Sequence, residues 1–455
     1  MWLPITKQGN GVTDMDAVER KILSIIDAHA EELQQLANDI FCHAEQGYHE
    51  FRTAKLVSDY LKKLGLETRE GLAITGVKAE IGRKEGPNIA LIGELDAVAC
   101  PTHPQASPEG FAHACGHYAQ IVCMLGAALA LSDPEVASEL DGTATIFAVP
   151  AEEVQDSALR EKVLKSHDVH CVGGKCELLR RGEFDDIDMA LTTHTLMLNR
   201  DSDADLVLGN SACNGFISKT VYFRGKASHA AAAPHLGVNA LNAATLGLTA
   251  LGMIRETFQE KDCVRVHPVI SKGGEAINVV PSEVVVDMMV RANHQRAIEE
   301  VSEKVDRCFR GAAMAIGCEV EIVNSQGYMP CPQRLPEQVL WDCATLLGDE
   351  WRVEGIPEGV CNTASTDVGD LFAVMPVINF TVGGSSGALH SQDYQVTDPV
   401  VAHILPAKMM ALLAYRLLRN GAEEAKKIIR DYDAPYTLEA YKEYTEKMSS
   451  NSDGI

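Results

Sequence analysis

The densest chemistry in this chain lies in the pentapeptide His113-Ala-Cys115-Gly-His117. A cysteine and a histidine two residues apart on a loop can face one point, and a thiolate with a neutral imidazole suits zinc or a similar first-row ion. The competing reading is a buried Cys115 that packs as a small hydrophobe. A second group is Pro150-Ala-Glu152-Glu153. Adjacent carboxylates at a strand end can diverge, one toward a cation and one toward a water, which is the division of labour a hydrolytic metal site needs. The same pair fits a solvated helix start, where acids meet the positive end of the dipole. His194, after Leu191-Thr-Thr, and His390, in Gly387-Ala-Leu-His390, add two imidazoles that taken singly read as ordinary core or surface histidines.

Their joint placement changes that balance. Asn88 to Gly93 and Thr143 to Val149 read as buried strands, Ala119 to Leu131 as an apolar helix, and Pro376 to Val382 as a further strand. Strands alternating with helices imply a largely parallel α/β sheet, whose sites lie at the carboxyl ends of its strands. Cys115, His117, Glu153, His194 and His390 all fall at such ends or in adjoining loops. Two helices are expected to open the chain, over residues 18 to 36 and 51 to 64. From about residue 213 the pattern becomes β-α-β-β-α-β, with strands over 217 to 223, 264 to 272, 282 to 291 and 319 to 323 and helices over 237 to 255 and 295 to 316, a ferredoxin-like order. The expected organisation is a first domain over 1–212, an insertion over 213–327, and a return to the first domain over 328–455.

With 455 residues, 46% apolar and 23% charged, the chain is far too large for a stapled scaffold and too apolar for disorder. Its 64 acidic against 40 basic residues leave a net charge of −24, the wrong sign for nucleic acid or an anionic membrane. Met1 to Asp14 lacks the basic and apolar regions of a signal peptide, and no uncharged apolar run approaches the length of a membrane span. Thirteen cysteines, an odd number without a Cys-x-x-Cys pair, point to a reducing cytoplasm.

Taken together, these stretches resemble the M20 metallopeptidase and amidohydrolase family, in particular its aminoacylase-like branch of indole-3-acetyl-amino-acid and aminobenzoyl-glutamate hydrolases. The stretches are Gly93-Glu-Leu-Asp96-Ala, His113 to His117, Pro150 to Glu153, Gly225-Lys-Ala-Ser-His229-Ala-Ala-Ala-Ala-Pro234, Gly273-Gly-Glu-Ala-Ile-Asn278-Val-Val-Pro281, Arg291, Ser365-Thr-Asp-Val-Gly-Asp370 and His390, in family order over roughly residues 40 to 395. The resemblance implies two divalent ions, zinc or manganese, held by Cys115, His117, Glu153, His194 and His390, with Glu152 as general base. In the wider family the first motif is His-x-Asp with a ligating histidine. Here it is Glu94-Leu-Asp96, the Cys115/His117 pair takes up that ligand role, and Asp96 reads as an outer orienting acid or a structural one. Tyr118 stands where the family places Asp or Asn, and Asp96-Ala-Val-Ala99 where it places Asp-Ala-Leu-Pro.

The resemblance also makes the insertion a dimerisation or lid domain. From it His229 polarises the scissile carbonyl of the partner subunit's site, and Asn278 and Arg291 bind substrate, Arg291 as a bidentate clamp on a carboxylate. Gly384 offers a backbone N–H. The expected activity is hydrolysis of the amide bond of an N-acyl amino acid by a homodimer. A dipeptidase acting on unusual dipeptides is the alternative within the family. A cysteine hydrolase using Cys115 with His117 or His113, or a noncatalytic small-molecule binder, are the readings outside it.

Overall fold

The computed structural model describes residues 15–153, 169–196, 203–450 and 452–454; the signal-peptide reading of residues 1–14 lies outside them. The chain forms two compact units, Met1–Ser211 with Gln333–Val360 and Val374–Leu438, and Ala212–Pro332 with Cys361–Ala373 and Glu439–Ile455.

The first unit is built on an eight-stranded sheet in the order Thr68–Leu72, Gly76–Gly82, Thr143–Val149, Asn88–Glu94, Met189–Thr195, Val377–Val382, Leu206–Leu208, Val353–Gly355. The four central strands, Thr143–Val149 through Val377–Val382, run parallel, while Gly76–Gly82 and Leu206–Leu208 join them antiparallel. The mixed α/β class and mostly parallel sheet expected from the sequence are therefore present. Burial on both faces explains the near-continuous apolar runs of the central strands, all seven residues of Thr143–Val149 being buried. His117–Leu131 and Leu405–Leu418 cover the sheet and are apolar almost all round, as fits helices enclosed on every side.

One detail departs from expectation. Three helices open the described chain instead of two, Ala17–Ala28, Ala30–Phe41 and Phe51–Lys63, because His29 leaves helical geometry at φ −110°, ψ 12° and its Nδ1 bonds to the Ile25 carbonyl at 2.9 Å. Among the described residues one helical stretch, Val400–Leu418, has the length and mean hydropathy (1.4) to cross a membrane; Lys408 and Arg416 interrupt its apolar run, and 89% of it is buried inside the protein, the profile of a core helix.

The second unit carries a sheet in the order Arg265–Lys272, Glu283–Ala292, Gly215–Arg224, Glu319–Gln326, Ser452–Gly454, with every pairing antiparallel. Ala240–Ile254 and Gln295–Ile316 complete the β-α-β-β-α-β order. The heptad-like burial of Ile298, Val301, Val305, Phe309 and Ala312 along the 22-residue helix is what its periodicity predicts. The unit reaches beyond 213–327. Cys361–Asn362 pairs with Ala212–Cys213, Asn214 donates its N–H to the Ala364 carbonyl, and Tyr441 Oη donates to Asp370 Oδ1 at 2.7 Å. A two-residue strand and a single buried hydroxyl leave no periodic trace, which is why residues 361–373 and 439–455 read from sequence as part of the first domain.

Inside this unit Lys219 is fully buried and satisfied by Asp306 Oδ1 at 2.6 Å and Asn324 Oδ1 at 2.7 Å. Burial pulls its pKa down and Asp306 opposes that pull. Asp306→Ala, which strands the buried ammonium, is expected to cost about 2–3 kcal/mol, whereas Lys219→Met costs less because the carboxylate it leaves behind, Asp306, is partly exposed to solvent. Urea midpoints of the two variants check the order; an Asp306→Ala protein as stable as wild type would contradict it.

Candidate metal centre

The carboxyl ends of the parallel strands collect the candidate ligands in the first unit. His117 opens the helix His117–Leu131 directly after Gly116, whose φ of 89° and whose approach to Thr195 leave no room for a side chain: a Cβ there would lie 2.0 Å from Thr195 Oγ1. Gly116 thus lets Cys115 and His117 turn toward one place. Beyond Thr143–Val149, Ala151 takes φ 56°, rare for a residue with a Cβ, and its N–H donates to Glu50 Oε1 at 2.8 Å. That turn directs Glu152 and Glu153 into the same space. His194 is the sixth residue of Met189–Thr195, and His390, at φ 60°, is anchored by its N–H to the Ala114 carbonyl at 2.9 Å.

Three overlapping donor sets result, Cys115/His117/His194, Cys115/Glu153/His390 and His117/Glu152/Glu153, and within each the ligand atoms lie within 4.8 Å of one another. His390 Nε2 is 2.8 Å from Glu153 Oε1 and 3.2 Å from Cys115 Sγ, and His194 Nε2 is 3.5 Å from Cys115 Sγ. The tautomers are fixed from outside. His117 Nδ1 faces the Asp96 carbonyl at 3.0 Å and His194 Nδ1 the Thr195 carbonyl at 2.9 Å; a carbonyl only accepts, so each Nδ1 carries the proton and each Nε2 offers a lone pair to the site. Asp96, fully buried, sets two ligands at once, with Oδ1 3.2 Å from His117 Nδ1 and Oδ2 accepting the Glu153 N–H at 2.7 Å.

This donor set suits divalent cations. Glu94, Asp96, Glu152 and Glu153 crowd a buried region with one paired ammonium, Lys175; burial opposes a charge on His117, but the Glu94 carboxylate 3.1 Å from its Nε2 outweighs that and holds its pKa well above the usual imidazole range. Excess buried negative charge is costly without a cation. Burial and Glu153 push the Cys115 thiol pKa well up, the reverse of what a free cysteine nucleophile requires. His113 is buried with neither ring nitrogen bonded and its pKa pulled down to about 3 by burial and then His117, and it joins none of the three sets. Burial works against ionisation of Glu153, but the bond to His390 outweighs it and holds the carboxyl below its usual range.

Tyr118 fills an aromatic pocket behind the centre, edge-on to Phe41 at 4.9 Å between centroids and 3.3 Å from His403 Nε2 through its hydroxyl. Gly384, at φ 78°, accepts the N–H groups of Thr397 and Asp398 through its carbonyl. In the second unit His229 is exposed, and its Nδ1 accepts the N–H groups of Ala231 and Ala232 at 3.2 and 3.1 Å. Its proton therefore sits on the outward Nε2, the tautomer that can donate to a carbonyl oxygen. Asn278 is also exposed and gives its carbonyl to Ala230. Arg291 lies over the Phe216 ring at 5.3 Å and donates to Ser365 Oγ at 3.0 Å.

Three residues close to the centre drew no attention in the sequence. Glu94, whose motif was noted only for lacking histidine, stands with Oε2 3.1 Å from His117 Nε2. Lys175 has no sequence signal at all; it reaches Glu94 because Gly174 packs on Pro150, where a Cβ would meet the Pro150 carbonyl at 1.8 Å. Glu50 is fully buried, accepting from Thr75 Oγ1 at 2.7 Å and from the Ala151 N–H, and burial together with the Asp96 charge pushes its pKa up to about 8. A carboxyl with a raised folded pKa holds its proton in the native state between about 4.5 and about 8, so stability is lost as pH rises through that window. Glu50→Gln is expected to flatten this fall in metal-free protein; thermal melts of wild type and variant with the same slope between pH 5 and 8 would contradict it.

Three comparisons bear on this arrangement. Residues 212–315 match the model of a peptidase dimerisation domain. The chain is 28% identical over 406 residues to a mouse Xaa-Arg dipeptidase, covering 85% of this chain and 84% of that protein. It is 29% identical to a p-aminobenzoyl-glutamate hydrolase subunit of Escherichia coli, over 75% of this chain and 68% of the other. A Bacillus subtilis dinuclear metal-binding peptidase of the M20 family has the same fold, at a TM-score of 0.62 and 21% identity over 86% of this chain and 99% of that one.

Proposed function

We propose that the chain, similar over most of its length to M20 metallopeptidases and amidohydrolases, is a member of that family and hydrolyses the amide bond between an acyl or aminoacyl group and an amino acid with a free carboxylate, as a homodimer loaded with two zinc or manganese ions. The observation that carries this reading is the convergence of Cys115, His117, Glu153, His194 and His390 at the ends of parallel strands with Glu152 among them. These five residues hold the ions, and Glu152 is left to act on the water. When bound, the ions supply Lewis-acid polarisation of the amide and lower the pKa of water from about 15.7 toward 7. Glu152 takes the proton of the attacking water and delivers it to the leaving amine. Asp96 keeps the His117 tautomer and the Glu153 backbone in place throughout. His229, through its Nε2–H, holds the developing oxyanion from the partner subunit, Asn278 and Gly384 contact the substrate, and Arg291 clamps its carboxylate. Free thiols at all thirteen cysteines suit a reducing, cytoplasmic setting.

A dipeptidase is the second reading, favoured by the similarity to Xaa-Arg dipeptidase over most of both chains. The two separate on a panel of N-acyl amino acids and dipeptides with matched C-terminal residues. Preference for acyl amides supports the first reading; preference for a free α-amino group supports the second. Cleavage of neither overturns both.

A further inference from the structure

Among the described residues eight non-glycine residues take a left-handed φ, and four of them, Tyr48 (62°), Ala73 (44°), Ile74 (84°) and Ala151 (56°), gather around one carboxyl, that of Glu50. Tyr48 stands two residues before it. Ala73 and Ile74 immediately precede Thr75, whose hydroxyl donates to Glu50 Oε2 at 2.7 Å, and the Ala151 N–H donates to Oε1 at 2.8 Å. Glu50, Thr75 and Ala151 are all buried. A positive φ is unfavourable for alanine and more so for a β-branched residue such as Ile74, so these turns persist only where surrounding bonds hold them. The turn at Ala73–Thr75 enters the strand Gly76–Gly82, and the antiparallel register of that strand with Thr143–Val149, Val77 opposite Ala148, sets it at the end of the sheet where Pro150 to Glu153 follow. The Ala151 peptide is gripped on both sides, its N–H by Glu50 and its carbonyl by the Gly174 N–H at 3.0 Å. Glu50 occupies the cap position of the helix Phe51–Lys63 yet makes no capping bond; Glu45 takes that task, its Oε1 accepting the Arg52 N–H at 2.9 Å and its Oε2 the Thr53 N–H at 2.8 Å.

Resting on the reading of Glu152 as general base, we infer that Glu50 is a positioning residue: its buried carboxyl ties the strained turn at Ala73–Thr75 to the strained turn at Ala151 and so sets where the Glu152 carboxylate stands. Glu153 has an anchor of its own, its N–H on Asp96 Oδ2 at 2.7 Å, so loss of the Glu50 bonds displaces Glu152 more than Glu153. Glutamine at position 50 can replace both bonds, its oxygen accepting the Ala151 N–H and its amide donating to Thr75 Oγ1, whereas leucine can replace neither.

The test follows amide hydrolysis by metal-loaded protein and hydrogen exchange of the Ala151 amide in metal-free protein. Glu50→Leu is expected to lower kcat by about 10- to 100-fold at unchanged KM and metal content, the scale on which a displaced reacting group acts, and to speed exchange at Ala151. Glu50→Gln should match wild type in both. Glycine adopts a positive φ without strain, so Glu50→Leu/Ala151→Gly should regain part of the lost kcat. A carboxyl that only stabilised the fold would lower the melting temperature of Glu50→Leu and leave the kcat of the folded protein alone. Thr75→Val, which removes one of the two bonds, should show a smaller loss of the same kind and carries the test if Glu50→Leu does not fold. Wild-type kcat in folded Glu50→Leu, or in Thr75→Val where the former does not fold, overturns the inference, as does an Ala151 amide that exchanges no faster than in wild type. Near-normal turnover in Glu152→Gln would instead overturn the general-base reading on which it rests.

Discussion

Glu152→Gln is expected to lower kcat by about 10²- to 10⁴-fold with both metal ions retained, the scale on which a positioned general base acts. Glutamine keeps the shape of the side chain and the turn at Ala151 that aims it, but cannot take a proton. The neighbouring Glu153 supplies the contrast. Its carboxylate lies against His390 and Cys115 ligand atoms in a three-donor set, and its N–H is tied to Asp96. Glu153→Ala should therefore lose metal as well as activity. The two acids differ by one position in sequence, so metal content and turnover measured on both variants separate proton transfer from ligation. Near-normal turnover in Glu152→Gln would remove the proposed base.

His229→Ala is expected to cost about 10²- to 10³-fold in kcat at unchanged metal content, as loss of an oxyanion donor does. The physical basis is the tautomer: two backbone N–H groups occupy Nδ1 and leave an exposed Nε2–H. If that donor serves the partner's centre, mixing His229→Ala with Cys115→Ala chains should restore about a quarter of the wild-type rate, because half of the dimers are mixed and one of their two sites receives intact residues from each chain. No recovery on mixing means that His229 serves its own chain, and a fully active His229→Ala dimer means that it has no such role.

The parallel sheet, the ferredoxin-like order after residue 213 and the five ligand candidates were legible in the sequence for one reason. Strand and helix periodicity mark where elements end, and chemistry-bearing residues cluster at those ends. Glu152 and Glu153 could be read as ordinary acids at a helix start until the strand before them gave them a place. What stayed hidden depends on contacts without periodicity. The break at His29 comes from one side-chain bond to Ile25, and the assignment of Cys361–Ala373 to the second unit comes from a two-residue strand. Lys175 reaches Glu94 across 81 residues of chain through the close packing of Gly174 on Pro150, and a lone lysine after two glycines announces nothing. The raised pKa of Glu50 likewise requires knowing that Asp96 lies near and that water does not.

The measurement that bears most directly on the central claim is amide hydrolysis by one preparation carried through exhaustive chelation and then reconstituted separately with zinc, manganese and cobalt, with bound metal counted at each stage. Five converging ligands predict up to two ions per chain, activity lost with the metal, and activity regained in step with reoccupation. Full activity in protein from which the metal has been removed would contradict the account.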